Sequence, residues 1–177
     1  MEHWTLAGER DRLIHGPAEG DLIPGLGTVR FVVHCSGKAT RVLTLAKSVL
    51  HQINCVDKCD WKSCDWRTLL PLDFVRTCAA EMAPEDAQKW LIRWQSLSER
   101  QQRQEEASRS WSLNNWLYWL EPQDRCWCWW DANEIDANHL VVAVAVKDWP
   151  FPWGALAWLF RGSGANLVVP EPEYADA

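Results

Sequence analysis

Residues Thr28 to Ile53 constrain the fold more tightly than any other stretch, because two hydrophobic periodicities meet there across a short turn. Thr28, Val29, Arg30, Phe31, Val32, Val33 and His34 are mostly β-branched or aromatic, the composition of a buried strand. Cys35-Ser36-Gly37-Lys38 reads as a tight turn. Val42, Leu45, Ala46, Val49, Leu50 and Ile53 then recur at i, i+3, i+4, i+7, i+8 and i+11, which is one face of an α-helix. A strand that runs straight into an amphipathic helix needs a layered domain in which each covers the other.

The remaining segments extend this into a single α+β domain over residues 1–169, followed by a loose acidic tail over 170–177. A short helix is expected near Leu6 to Ile14, and an ordered polar loop over Asn54 to Thr68. Leu72, Val75, Cys78, Ala79 and Met82 give a helical face, with Pro71 and Asp73 suited to its first turn. Pro84-Glu85-Asp86 opens a further helix, with Ala87, Trp90, Leu91, Trp94 and Leu97 as its buried stripe. From Ser98 to Ser110 that helix turns polar all round and is expected to project into solvent or fray. Ser112 caps a short helix ended by Pro122, with a strand over Leu117 to Leu120 as the competing reading. Arg125 to Asp131 and His139 to Lys147 read as a C-terminal β-hairpin around a loop at Ala132 to Asn138. A last helix over Gly154 to Arg161 follows.

Charge narrows the function classes. The 177 residues carry a net charge of -6, the wrong sign for a nucleic-acid or anionic-membrane binder. The most apolar stretch, Leu140 to Val146, is too short to span a bilayer, and Met1 to Ile14 has no secretory pattern. Seven Cys without an export signal fit reduced thiols in the cytoplasm.

Fourteen Trp stand against 2 Tyr and 4 Phe. Each ring brings a large apolar area and one N–H that seeks a partner when buried. A small core that absorbs several such rings still leaves some for a surface. Period two places Trp127 and Trp129 on one strand face and Trp130 on the other. Trp61 and Trp66 fall in the polar loop, within a near-repeat of Cys-Asp-Trp. These five are the candidate binding residues, weighed against Trp as filler of a hairpin packed on helices.

The alternative chemistry lies in His34-Cys35-Ser36-Gly37-Lys38-Ala39-Thr40-Arg41, a Cys-x5-Arg spacing between strand and helix. It resembles the phosphate loop of cysteine-dependent phosphatases: His34-Cys35 is similar to the larger tyrosine phosphatases, and Gly37 to the low-molecular-weight branch. The resemblance implies Cys35 as nucleophile, Arg41 as phosphoryl clamp, and Asp148 of Asp148-Trp149-Pro150 as general acid. It covers about nine residues, has Val42 where that family carries Ser or Thr, and separates Asp from Pro by one inserted residue. With seven Cys and many Arg, such a spacing also arises by chance, and a buried structural Cys is the simpler fate.

His51, Cys55, Cys59 and Cys64 offer soft ligands in and beside a polar loop, with Cys126 and Cys128 available in addition. Their spacing lacks paired zinc knuckles, so unliganded thiols are expected, with no metal and no cofactor. His3, His15 and His139 have no companion at ligand spacing. The sequence therefore favours a small acidic accessory subunit, inhibitor or immunity-like factor that binds another protein through a Trp-rich C-terminal surface.

Overall fold

The computed structural model describes residues 5–23, 25, 27–57 and 60–171. Within them, mixed helix and strand form an α+β chain: eight helices and one four-stranded antiparallel sheet. The elements in order are α1 (Leu6–His15), β1 (Gly27–His34), α2 (Ala39–Asn54), α3 (Trp66–Leu69), α4 (Leu72–Val75) and α5 (Pro84–Gln95). They continue as α6 (Glu99–Ser108), α7 (Leu113–Tyr118), β2 (Trp127–Asp136), β3 (His139–Val146), α8 (Gly154–Gly162) and β4 (Leu167–Pro170). Among the described residues, no helix is long and apolar enough to cross a membrane.

The sheet order is β2-β3-β1-β4, and alternation along each strand sends one set of side chains to a common face. Val29, Phe31 and Val33 of β1 lie opposite Val144, Val142 and Leu140 of β3. Trp127 and Trp129 of β2 extend that face on one side, and Val168 of β4 on the other. The periodic stripe of α2 and the apolar residues of α8 (Leu156, Leu159 and Phe160) cover it, completing one core. On the opposite face Val32, Val141 and Ala143 are half-buried and Arg30 is exposed.

Gly162 closes the seam between α8 and the turn after α4. A Cβ there would stand 2.6 Å from the Phe74 ring, so the approach needs a residue without one. The Thr77 hydroxyl ties the same seam, donating to the carbonyls of Phe74 and Gly162.

β2 is an edge strand, and α1 covers its unpaired backbone. The Glu9 carboxylate accepts from the Trp129 amide at 2.6 Å, and Arg12 Nε donates to the Trp129 carbonyl at 3.2 Å. Glu9 also pairs with Arg125, which in turn donates to Asn54 Oδ1 at the end of α2. Side chains one helical turn apart on α1 thereby satisfy the amide and carbonyl that an edge strand otherwise offers to a second chain. None of these contacts is local, and Glu9 lies 116 positions from Arg125.

Several expectations need correction. The loop at Ala132 to Asn138 is much shorter: β2 runs on to Asp136, and only Ala137-Asn138 turn. These residues read as a loop because that end of β2 is exposed and polar, while the Asp136 carboxylate organises the turn by accepting from the Asn138 amide at 2.6 Å. The helix expected to reach Met82 stops at Val75, and Ala79 instead bridges to Ser112. A Ser98–Gln101 capping box separates α6 from α5 where one continuous helix was expected. Pro170 is not in a loose tail: it pairs with Phe31, and the Glu171 amide donates to the Arg30 carbonyl. Residues 172–177, like His3, lie outside the described residues.

Candidate functional site

The turn at Cys35 has the expected strand–turn–helix setting. Ser36 and Gly37 both take positive φ, 46° and 79°, which reverses the chain between β1 and α2. Its interior is already occupied. The Cys35 amide donates to the Asn138 carbonyl at 2.6 Å and the Ala39 amide to the Ala137 carbonyl at 3.1 Å, so the β2–β3 turn fills the place of a phosphate. Cys35 is fully buried, and its thiol points at the Val33 carbonyl, 3.7 Å away. Burial, reinforced by the Glu134 charge, pushes that thiol upward, the reverse of what a nucleophile requires.

The phosphatase constellation does not assemble. Arg41 points outward and pairs with Asp73 at 3.3 Å, both side chains exposed. Asp148 follows the end of β3 that pairs with Gly27, whereas Cys35 follows the end of β1 that pairs with His139. The eight-residue length of β3, about 25 Å, separates acid from thiol. Proton transfer to a leaving group needs hydrogen-bond reach. Nothing in the spacing of Cys35 and Arg41 reveals this, because it depends on which end of the sheet each loop leaves.

Four of the five candidate tryptophans are buried, and the fifth, Trp130, is half-buried. Trp127 and Trp129 are fully buried, the second stacked on Phe160 at 6.2 Å between ring centroids. The register steps from Trp129–Val144 to Asp131–Ala143, a bulge that leaves Trp130 as the extra residue. Its half-buried ring takes the Arg12 guanidinium 5.1 Å from its centre. Trp61 and Trp66 are also buried, against each other at 4.5 Å, with the Trp66 indole N–H donating to the Trp61 carbonyl. The polar loop that was expected to display these two rings is pinned by them instead. The C-terminal hairpin therefore offers no surface made of Trp127 and Trp129.

An open apolar stripe lies elsewhere, on the helix whose sequence pattern promised burial. α5 buries none of its residues. Trp90 and Trp94 are half-buried, and Leu91 between them is 47% exposed. α6 returns beside it, joined by Arg93 to Glu105 at 2.6 Å and by Gln102 Nε2 donating to the Trp94 carbonyl. The Arg109 guanidinium sits 3.9 Å over the Trp90 ring. Burial lowers the Arg109 pKa, with the Glu105 charge opposing the shift. The two helices brace each other through polar contacts along one side and leave the Trp90–Leu91–Trp94 ridge partly uncovered. The heptad-like spacing marked these residues correctly as one face; it could not mark whether anything lies opposite.

Of the possible metal ligands, His51 Nδ1 and Cys55 Sγ approach to 3.8 Å at the end of α2. Cys59 lies outside the described residues, and Cys64 is half-buried with a thiol raised by burial and by Asp65 and Asp60. Among the described residues, no three His, Cys, Asp or Glu side chains come together as a ligand group.

No protein-family model, curated protein or solved structure matches the chain.

Proposed function

We propose that this chain is a protein–protein interaction module that docks through the α5 ridge of Trp90, Leu91 and Trp94. The observation that supports it is a twelve-residue amphipathic helix with no buried residue. An apolar helical face is stabilising only when something covers it, and helix-in-groove recognition uses anchors at i, i+3, i+4 and i+7, the spacing of Ala87, Trp90, Leu91 and Trp94. Trp is the residue type that contributes most at such contacts. The partner this implies is a protein with an apolar groove, and the module's role is that of an accessory subunit or inhibitor.

Site-specific photocrosslinking tests the reading. A benzophenone side chain at Leu91, irradiated in lysate of the source organism, should give one discrete adduct that is absent from a control position at the exposed Ser48. Trp90→Ala with Trp94→Ala should abolish the adduct while the circular dichroism and melting temperature stay close to the parent, since neither ring is in the main core. Equal adducts at both positions, or an adduct indifferent to the double substitution, would remove α5 as the docking face.

A further inference from the structure

On the solvent side of the Cys35 turn, the start of α2, the turn after α4 and the end of α8 surround a depression of about 240 Å³. Lys38, Arg41 and Arg76 line it with one carboxylate, Asp73, so three cations and one anion leave a local charge of +2. The chain as a whole carries -6. We propose that this depression binds a small phosphoryl-bearing anion.

Four features support that chemistry. First, the cations converge from separate segments: Lys38 and Arg41 are one turn apart on α2, and Arg76 faces them from beyond α4. Among the described residues, Arg76 and Lys38 have no side-chain hydrogen bond or ion pair, so their charges are available. Second, α2 begins with Lys38 at its N-cap, with no side-chain cap and no acid in its first turn. Basic side chains beside the positive end of a sixteen-residue helix repel that end, and the carboxylate already bonded there, Glu134 on the Thr40 hydroxyl at 2.8 Å, is not among the residues that line the depression.

Third, several of the groups that would repel an anion are already engaged. Three of the last carbonyls of α8 accept hydrogen bonds: Gly162 from the Thr77 hydroxyl, Phe160 from the Ser163 and Ala165 amides, and Arg161 from the Gly164 amide. Asp73 is turned onto Arg41 at 3.3 Å. Fourth, the volume lies below that of sites for drug-sized ligands, about 300–1,000 Å³, and suits a phosphate or a small phosphate ester. A charge of +2 matches a phosphoryl dianion, and Arg guanidinium forks fit its tetrahedral oxygens. The loop amides of Cys35 and Ala39 are bonded to the β2–β3 turn, so side chains hold the ligand and the site binds without covalent chemistry. This inference is independent of docking through α5.

Titration of ¹⁵N-labelled protein with inorganic phosphate, and separately with phenyl phosphate, at low ionic strength and slightly alkaline pH reads the site directly. Saturable shifts confined to the amides around Lys38–Val42, Arg76–Thr77 and Ser163–Gly164 are expected at millimolar ligand. Tighter binding of phenyl phosphate would identify an ester as the ligand class, and equal binding the free ion. Lys38→Gln with Arg76→Gln should weaken binding by about tenfold or more without lowering the melting temperature, because two charge-assisted contacts go and no internal partner is lost. Asp73→Asn should move affinity the other way, tightening it several-fold by freeing Arg41 from its carboxylate. Shifts that never saturate, binding unchanged in the Lys38/Arg76 variant, or weaker binding by Asp73→Asn would each overturn the proposal.

Discussion

Removing the carboxylate of Glu9 should be among the most damaging single changes available to this chain. Glu9 and Arg125 are both fully buried, so truncation to alanine leaves a guanidinium with its countercharge gone and the Trp129 amide without an acceptor. Breaking a buried pair from one side costs about 3–5 kcal/mol, and an orphaned buried N–H about 1–3 kcal/mol. The two losses overlap, because one carboxylate serves both groups, so about 4 kcal/mol is expected in total. With a urea m-value of about 2 kcal/mol per molar, the unfolding midpoint falls by about 2 M. Glu9→Gln keeps one acceptor but removes the countercharge of Arg125 and turns its NH2 toward the second donor, so it should still cost about 3 kcal/mol. Glu9→Leu with Arg125→Met removes both charges and leaves the Trp129 amide and the Asn54 Oδ1 acceptor without partners but no uncompensated charge, so the double change should be milder than Glu9→Ala alone. Hydrogen exchange adds a local readout: the Trp129 amide should lose protection in Glu9→Ala before the neighbouring β2–β3 ladder does. A cost below about 1 kcal/mol for Glu9→Ala, or a double variant as damaged as the sum of its singles, would refute the account of α1 as an electrostatic cover for the β2 edge.

Cys128 makes a prediction in alkaline solution. Burial, followed by the nearby Glu9 charge, pushes its thiol from 9.0 up to about 12, against the opposing pull of Arg12 and Arg125. A raised value means that the folded chain keeps a proton the unfolded chain gives up, so this group's contribution is intact below pH 9.0 and is lost as pH rises toward about 12. Cys128→Ala should therefore lose less stability than the parent between pH 8 and about 10.5 in denaturant titrations, and parallel losses would contradict the assignment. Gly162→Ala should lower the melting temperature, even though alanine favours helices, since its methyl would meet the buried Phe74 ring at 2.6 Å and the Thr77 hydroxyl at 3.2 Å. Overpacking of about 1–3 kcal/mol corresponds to a fall of several degrees, and an unchanged or raised melting temperature would show that the seam yields.

Local pattern determined the elements whose two faces differ along their own length. The β-branched run of β1, the 3.6-residue stripe of α2, the apolar alternation of β3 and the proline and glycine bounds of α8 are all readable without a partner, and each lies where its pattern places it. The same reasoning identified α5 as amphipathic, yet not that its stripe stands half-open, since amphipathicity describes a face and not what covers it. β4 was missed because four residues carry too little periodicity to register, and the far end of β2 because its side chains face water.

The candidate site was less legible still, for a related reason. Cys35 and Arg41 sit six positions apart in a setting that suits phosphate chemistry, but the carbonyls that fill the loop come from Ala137 and Asn138. Trp127 and Trp129 are both core, the second under Phe160 of α8, and Trp130 is displaced by a bulge that only the pairing with β3 creates. Glu9, invisible as a single acidic residue on a short helix, becomes a buried anchor through an arginine 116 positions away. By itself the sequence determined the secondary structure with strong periodicity, the layered α+β class and the excess of tryptophan. Only the tertiary structure decided which rings meet solvent, which amides are free and where positive charge collects, because each depends on neighbours distant in the chain.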